Sequence, residues 1–288
     1  MTIRTIPQLI GILIFLALVV AGASRYTAEE RSGELHAWFC DVGQGDAILL
    51  DTPERQQVLV DGGPDSSVLT CLTKALPLTD KDLDLVVVTH NHADHLRGVV
   101  EVLKHYQVKQ LWISGAIHTT DTYREFLELA KAKSIPTTVV VAGQTARYGL
   151  LEGIVIYPFV EQRGESPENQ HDATVVTYWT YGSQSLLLTG DAEMEHEEEM
   201  LQQNVLRPTT ILKVGHHGSR TSSGEAFLNR TTPKIAVIQV GRRNRFGHPV
   251  PETLQRLESL AIPVLRNDND GTIRFSIWPD RYSWHTGL

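Results

Sequence analysis

Seven consecutive residues, Thr89-His90-Asn91-His92-Ala93-Asp94-His95, place three imidazoles and one carboxylate directly behind the apolar stretch that ends at Thr89. Leu85–Thr89 is a continuous apolar run of strand length bounded by polar residues, which reads as a buried strand. The string therefore sits where a core strand surfaces. His90 and His92 are two apart, so an extended chain points both the same way. Asp94 and His95 open the next helix and can turn toward a second point. Imidazole with carboxylate suits zinc or manganese, and four such groups close together are costly to bury without a cation. A chain that ends a core strand in this way is expected to fold around a metal site.

Further ligands of the same chemistry follow other strand-like runs. Leu186–Thr189 ends in Gly190-Asp191, where Asp191 suits a bridge between metals. Lys213-Val214-Gly215-His216-His217-Gly218-Ser219 follows Ile211–Val214, and Asn244-Arg245-Phe246-Gly247-His248-Pro249 follows Ile235–Val240. Each loop alone is ordinary. Four of them, all at strand ends, point to one site.

The remaining pattern supports an α/β body. Strands are expected at Leu35–Cys40, Ala47–Asp51, Gln57–Val60, Leu111–Ser114, Thr137–Val141, Ile154–Tyr157, Thr174–Thr180 and Thr272–Ile277, with turn residues between the early ones. Helices are expected at Val68–Ala75, Leu96–Tyr106, Glu193–Gln203 and Glu252–Leu260. The acidic run Glu193 to Glu199 is expected to be a solvated helical face near a positive helix end. Trp112, Trp179 and Trp278 lie in strand patterns and are expected in the core.

The first 23 residues differ from the rest. Arg4 precedes an apolar run, Leu9 to Val20, that ends in Ala21-Gly22-Ala23, the pattern of a secretory signal peptide. The uncharged stretch from Thr5 to Ser24 is also long enough for a membrane anchor through residues 5–23. Either reading puts the body outside the cytoplasm, periplasmic or extracellular. Residues 24–33 read as a linker and 34–288 as a single domain. The two cysteines, Cys40 and Cys71, exclude a disulfide-dense scaffold or a cysteine zinc site; they are read either as one bridge or as two buried thiols.

Charge limits the partners. Lys and Arg total 26 against 34 Asp and Glu, a formal charge of −8. A broad basic face for duplex DNA is therefore not expected. An anionic substrate must be met locally, by metal or by the small cluster Arg242, Arg243 and Arg245, whose guanidinium groups suit phosphate.

Taken together, the H-x-H-x-D-H string, the later Gly-Asp and the later histidines resemble the metallo-β-lactamase fold. Asp41-Val42-Gly43-Gln44-Gly45-Asp46, Leu59-Val60-Asp61-Gly62-Gly63 and the two late loops resemble, more narrowly, the C-terminal domain of the ComEC family of competence DNA-uptake proteins. The resemblance spans about residues 34 to 276. It implies a four-layer αββα sandwich with two divalent metal ions, zinc or manganese, at one edge, and nuclease activity. His90, His92 and Asp191 would hold the first metal. Asp94, His95, Asp191 and one of His216 or His217 would hold the second. Asp61 resembles a structural aspartate that orients a ligand histidine. Gly43 and Gly45 allow close backbone approach, and Asp46 is expected to fix its loop near the site. Ser219, Asn244 and Arg245 are placed beside the ligands or the substrate, and His248 on the substrate phosphate or the leaving oxygen. Asp94 and Asp191 join His248 in the expected catalytic set.

One position departs from the pattern. Lactamases and lactonases of this fold carry a histidine between the first string and the bridging aspartate, whereas ComEC-type domains have an Asn-rich stretch. Here the chain reads Asn169-Gln170-His171-Asp172-Ala173-Thr174. His171 is read either as a restored ligand or as a loop residue. His36, His105, His118, His196 and His285 lack such context. The expected substrate is a phosphodiester, with single-stranded DNA leading. A choline-phosphate or other phosphoester on an envelope polymer is the alternative, a β-lactam or lactone the third, and a non-catalytic metal-organised binding module the alternative of another class. The large channel of full-length relatives has no counterpart in this sequence, so a transport role would need a separate uptake channel.

Overall fold

The computed structural model describes residues 11–15 and 33–288. Residues 11–15, in a first unit of Met1–Glu34, are helical. The rest of the expected leader or anchor at 1–23, and of the linker at 24–33 apart from Gly33, lies outside the described residues. Among the described residues no helix is long and apolar enough to cross a membrane. All that follows concerns the second unit, Leu35–Leu288.

Strands β1 (Leu35–Phe39), β2 (Ile48–Asp51) and β3 (Gln57–Val60) form an antiparallel meander. Helix α1 (Ser67–Ala75), β4 (Asp82–Leu83), β5 (Leu85–Val88), α2 (Ala93–His105), β6 (Gln107–Val108), β7 (Leu111–Ile113), α3 (Asp121–Ala132) and β8 (Thr137–Val139) follow, with β3, β5, β7 and β8 parallel. The second half repeats this plan. Strands β9 (Thr145–Tyr148), β10 (Leu151–Tyr157), β11 (Val176–Tyr181) and β12 (Gln184–Leu188) run antiparallel. They lead through α4 (Met194–Gln202), β13 (Ile211–Lys213), α5 (Glu225–Thr231), β14 (Ile235–Ile238), α6 (Pro251–Ser259) and β15 (Val264–Arg266) to a parallel portion. After α7 (Asn267–Asp270), β16 (Ile273–Ile277) and β17 (Tyr282–His285) return to pair beside β1. The result is an eight-stranded and a seven-stranded sheet, with β4 and β6 paired in a separate two-stranded ladder.

Three apolar clusters separate four layers. Val86 and Val88 pack with Leu96, Val99, Leu103 and Phe126 between the first sheet and α2 and α3. Leu85 and Val87, pointing the other way, join Trp112, Trp179, Leu186, Leu188 and Phe275 between the sheets. Leu187, Leu212, Met200, Phe227 and Leu257 fill the space between the second sheet and α4, α5 and α6. This is the expected αββα sandwich, and it explains why β5 is apolar at every position: both of its faces are covered.

Some expectations need correction. Helix α2 runs from Ala93, ahead of the apolar spacing that starts at Leu96, and carries Asp94 and His95 in its first turn as expected, with His92 as its extended N-cap. Strand β10 starts at Leu151 rather than Ile154, since its outer end pairs with β9. The expected strand at Thr174 begins at Val176, after a 3-10 turn at Gln170–Ala173. Trp112 and Trp179 are core residues, but Trp278 is half-buried past β16, under the Arg281 guanidinium. Cys40 and Cys71 form one disulfide that joins the end of β1 to α1.

Candidate metal centre

Parallel strands release their chains at one edge of each sheet, and the loops beyond those carboxyl ends form a crevice. His90 and His92 leave β5, Asp191 leaves β12, His217 leaves β13 and His248 follows β14. Close approach of the Asp41–Asp46 loop needs glycine. Gly45 has φ +141°, and a Cβ there would lie 2.1 Å from the Asp94 carbonyl oxygen.

Two of the donor groups flank one carboxylate oxygen, and a further one, His171 with Glu193 and His216, lies beside them. His90, His92 and His171 bring their ligand atoms within 4.8 Å of one another, as do Asp94, His95 and His217. Oδ2 of Asp191 lies 3.3 Å from His95 Nε2, 3.4 Å from His217 Nε2, 3.8 Å from His171 Nε2 and 4.0 Å from His90 Nε2. His171 is thus delivered to the other ligands. Asn169 Oδ1 accepts from the His171 backbone N–H at 3.2 Å, and Asn91 Nδ2 reaches Gln170 Oε1 at 3.3 Å.

Orientation comes from the groups behind the ligands. Asp61, buried and at φ 57°, accepts from the Thr89 backbone N–H at 2.8 Å and the Thr89 hydroxyl at 2.6 Å. It also meets His95 Nδ1 at 2.8 Å, which leaves Nε2 facing Asp191. His217 Nδ1 donates to the Gln239 carbonyl at 2.9 Å. Nε2 of both His95 and His217 is buried without a hydrogen-bond partner among the described residues. Orphaned imidazole nitrogens aimed at a shared carboxylate are satisfied by a cation, so these residues fit divalent metal.

The electrostatics agree. Burial, then the neighbouring His95, hold His90 well below its usual range, and burial brings His92 down to about 4. Burial also works against protonation of His95 and His217, but Asp191 and its neighbours outweigh it, lifting His95 well above normal and His217 to about 9. Burial likewise pushes Asp191 up, yet His217, His95 and Lys213 hold it well below the carboxylate range. Protons on His95 and His217 thus balance the carboxylates, and a bound divalent ion would replace them.

Of the two candidate histidines, His217 joins the ligand group. His216 turns away: its Nδ1 lies 3.1 Å from Glu193 Oε1, and its ring is 4.3 Å from that of His171 and 5.6 Å from that of His248. Asp46 does more than fix a loop. It is buried, with Oδ1 3.3 Å from His217 Nδ1 and Oδ2 ion-paired to Lys213. The Ser219 hydroxyl meets Thr221 at 3.0 Å, and Thr221 in turn donates to Glu193. Asn244 closes its own loop by accepting from His248 N–H at 2.9 Å and donating to the His248 carbonyl at 2.8 Å. Arg242, Arg243 and Arg245 are exposed on that loop, with Arg245 over the Phe246 ring.

The expected solvated acidic face is wrong at two positions. Glu193 lies in the site beside His171 and His216. Glu197 is buried and accepts from the Ser223 and Gly224 backbone N–H groups at 2.6 and 2.8 Å. His196 also has a context: it is buried in α4, and its Nδ1 accepts from the Glu193 backbone N–H at 2.9 Å. Lys213 and Glu193 were missed as site residues. A lysine ending an apolar strand and a glutamate two residues beyond Asp191 were the signals.

Comparison with known proteins agrees with this geometry. The profile of the metallo-beta-lactamase superfamily matches residues 40–242. ComE operon protein 3 of Bacillus subtilis (strain 168) is 32% identical over 269 residues, covering 87% of this chain and 34% of that protein. Exodeoxyribonuclease WalJ of Streptococcus pneumoniae is 32% identical over 137 residues, covering 48% of this chain and 45% of that one. The chain spans about a third of the length of the competence relatives it matches. Among solved structures, the metallo-beta-lactamase fold protein YhfI from Bacillus subtilis is 12% identical with a TM-score of 0.51, covering 81% of this chain and 96% of that one; it supports the fold alone.

Proposed function

Because the chain belongs to the metallo-beta-lactamase superfamily, we propose that it is a two-metal phosphodiesterase acting on DNA, with single-stranded DNA as substrate, working outside the cytoplasm. The observation that carries the reading is the convergence of two donor groups on Asp191 Oδ2, with His216 and His248 on the wall of the cleft beside them. Ions held there would supply Lewis acidity and an activated water.

The chain's own residues account for the rest. His171, whose Nδ1 stands 3.9 Å from Glu193 Oε2, and then His216, hydrogen-bonded to Oε1 at 3.1 Å, hold the Glu193 carboxyl well below the usual range, so Glu193 is a fixed anion. That anion orients the His216 ring with Nδ1–H toward it, leaving Nε2 to deliver a proton to the leaving oxygen. Burial holds His248 down to about 4, so at neutral pH its ring is uncharged and serves as a hydrogen-bond partner of the phosphate rather than as the acid. The exposed Arg242, Arg243 and Arg245 offer charge for flanking phosphates.

The name of the WalJ relative speaks of an exodeoxyribonuclease and those of other relatives speak of competence, which supports DNA over a β-lactam. The Cys40–Cys71 disulfide supports an oxidising compartment, and with it the leader or anchor reading of residues 1–23. The test is turnover by the metal-loaded chain of single-stranded DNA, bis-p-nitrophenyl phosphate, p-nitrophenyl phosphorylcholine and nitrocefin. Cleavage of the first two is expected. Turnover confined to the choline ester or to nitrocefin would replace the reading, and no turnover with metal bound would favour a binding module.

A further inference from the structure

Lys213, the last residue of β13, is wholly buried. An ammonium removed from water is tolerated only where its N–H groups find acceptors. Its Nζ has three. It donates to the Gly190 carbonyl at 2.9 Å, pairs with Asp46 Oδ2 and faces Asp191 Oδ1 at 3.6 Å.

The two oxygens of Asp191 are thereby sorted. All four nearby imidazoles, those of His90, His95, His171 and His217, make their nearest approach to Oδ2. Oδ1 has no hydrogen-bond partner among the described residues and faces only the Lys213 cation at ion-pair range. We propose that Lys213 is a positioning residue that holds Asp191 Oδ1 toward its own ammonium, so that Oδ2 alone would be offered to the two metal positions. Asp46 is the anchor of this device, since it holds the far side of the same ammonium. A carboxylate free to turn would chelate one ion through both oxygens, or span two ions through O–C–O, and either changes their spacing. The proposal rests on the two-metal reading.

The test uses the full chain loaded with Mn²⁺, read by elemental analysis, metal titration and electron paramagnetic resonance. A one-atom bridge couples two Mn²⁺ spins more strongly than an O–C–O bridge. The wild type is expected to hold two Mn²⁺ with a coupled spectrum. Lys213→Met is expected to weaken the second equivalent by about 10–100-fold, the usual range for loss of a group that orients a ligand, and to weaken the coupling. Lys213→Gln, which keeps an N–H donor, should fall between the two. Asp46→Asn leaves the lysine in place but loosens its anchor, and should move the spectrum the same way; it serves if the Lys213 variants do not fold. Two equivalents of wild-type affinity and an unchanged spectrum in a folded variant overturn the role of Lys213 alone. A wild type that holds a single Mn²⁺ overturns the two-metal reading and this proposal with it.

Discussion

His216 and His217 are adjacent in the chain, yet their rings serve different carboxylates. His216 Nδ1 meets Glu193 at 3.1 Å, while His217 Nε2 lies 3.3 Å from Asp94 and 3.4 Å from Asp191. Both residues have left-handed backbone, φ 44° and 53°, which turns the chain sharply enough to split them. His217→Ala should therefore lose metal and turnover together. His216→Ala should keep both metals and lose about 10²–10⁴-fold in turnover of DNA, with a smaller loss on bis-p-nitrophenyl phosphate, whose leaving group needs no proton. Elemental analysis beside both assays decides; the reverse pattern would exchange the two roles.

His248 gives the complementary result. Its ring is held near 4 by burial, and its Nδ1 has no hydrogen-bond partner among the described residues. His248→Ala should keep both metals and slow the two substrates by the same factor, because a phosphate contact is indifferent to the leaving group. A selective loss on DNA would make His248 the acid instead.

His171 is the position at which the sequence departs from the expected ligand pattern. His171→Ala should cost one metal equivalent in a calorimetric titration, because its Nε2 stands 3.8 Å from Asp191 Oδ2 among the other donors. Two full equivalents in the variant would return His171 to an ordinary loop role.

Glu197 predicts a pH dependence of stability. Burial pushes its carboxyl from 4.5 up to about 7, against the pull of the Gly224 and Ser223 N–H groups. The folded state thus holds the proton more tightly than the unfolded chain. The associated stability is fully present below 4.5 and is lost as pH rises through about 7, by up to about 3 kcal/mol. Urea unfolding at pH 5 and pH 7.5 should show this fall in the wild type and a flatter profile in Glu197→Gln. Parallel profiles would assign the dependence to other groups.

The Cys40–Cys71 bridge closes a separation of 31 residues. Chain entropy makes such a link worth about 3–4 kcal/mol, or roughly 10 °C in Tm for a domain of this size. Thermal melts with and without reductant should show that difference, and equal melts would mean that the bridge is absent in solution.

The ligand string, Asp191, Asp61 and the strands bearing them were legible because their signals are local: an apolar run, then donors at close spacing. Helix α3 carries a readable cap, Thr120 accepting from the Tyr123 N–H at 3.3 Å, and apolar residues at helical spacing, Tyr123, Phe126, Leu127 and Ala130, so its signal was present and went unread. The other misses have physical causes. Strands β9, β15 and β17 are short edge elements with half-exposed residues, so alternation is weak. Glu193 and Glu197 sit in one acidic run, and their burial depends on loops some twenty-five residues away. No window along α4 contains that information.

The donor set also joins the molecule across its seam. His90, His92, Asp94 and His95 hang from the first sheet, whereas His171, Asp191 and His217 hang from the second. An ion shared by both sets would be a second clasp on that end of the sandwich, beside the Asp46–Lys213 pair that already crosses it. At a free concentration a hundred times its dissociation constant, each such ion adds about 2.7 kcal/mol to the closed form. Metal scarcity would then be felt first as a loosening of that end, before any loss of the body of the fold.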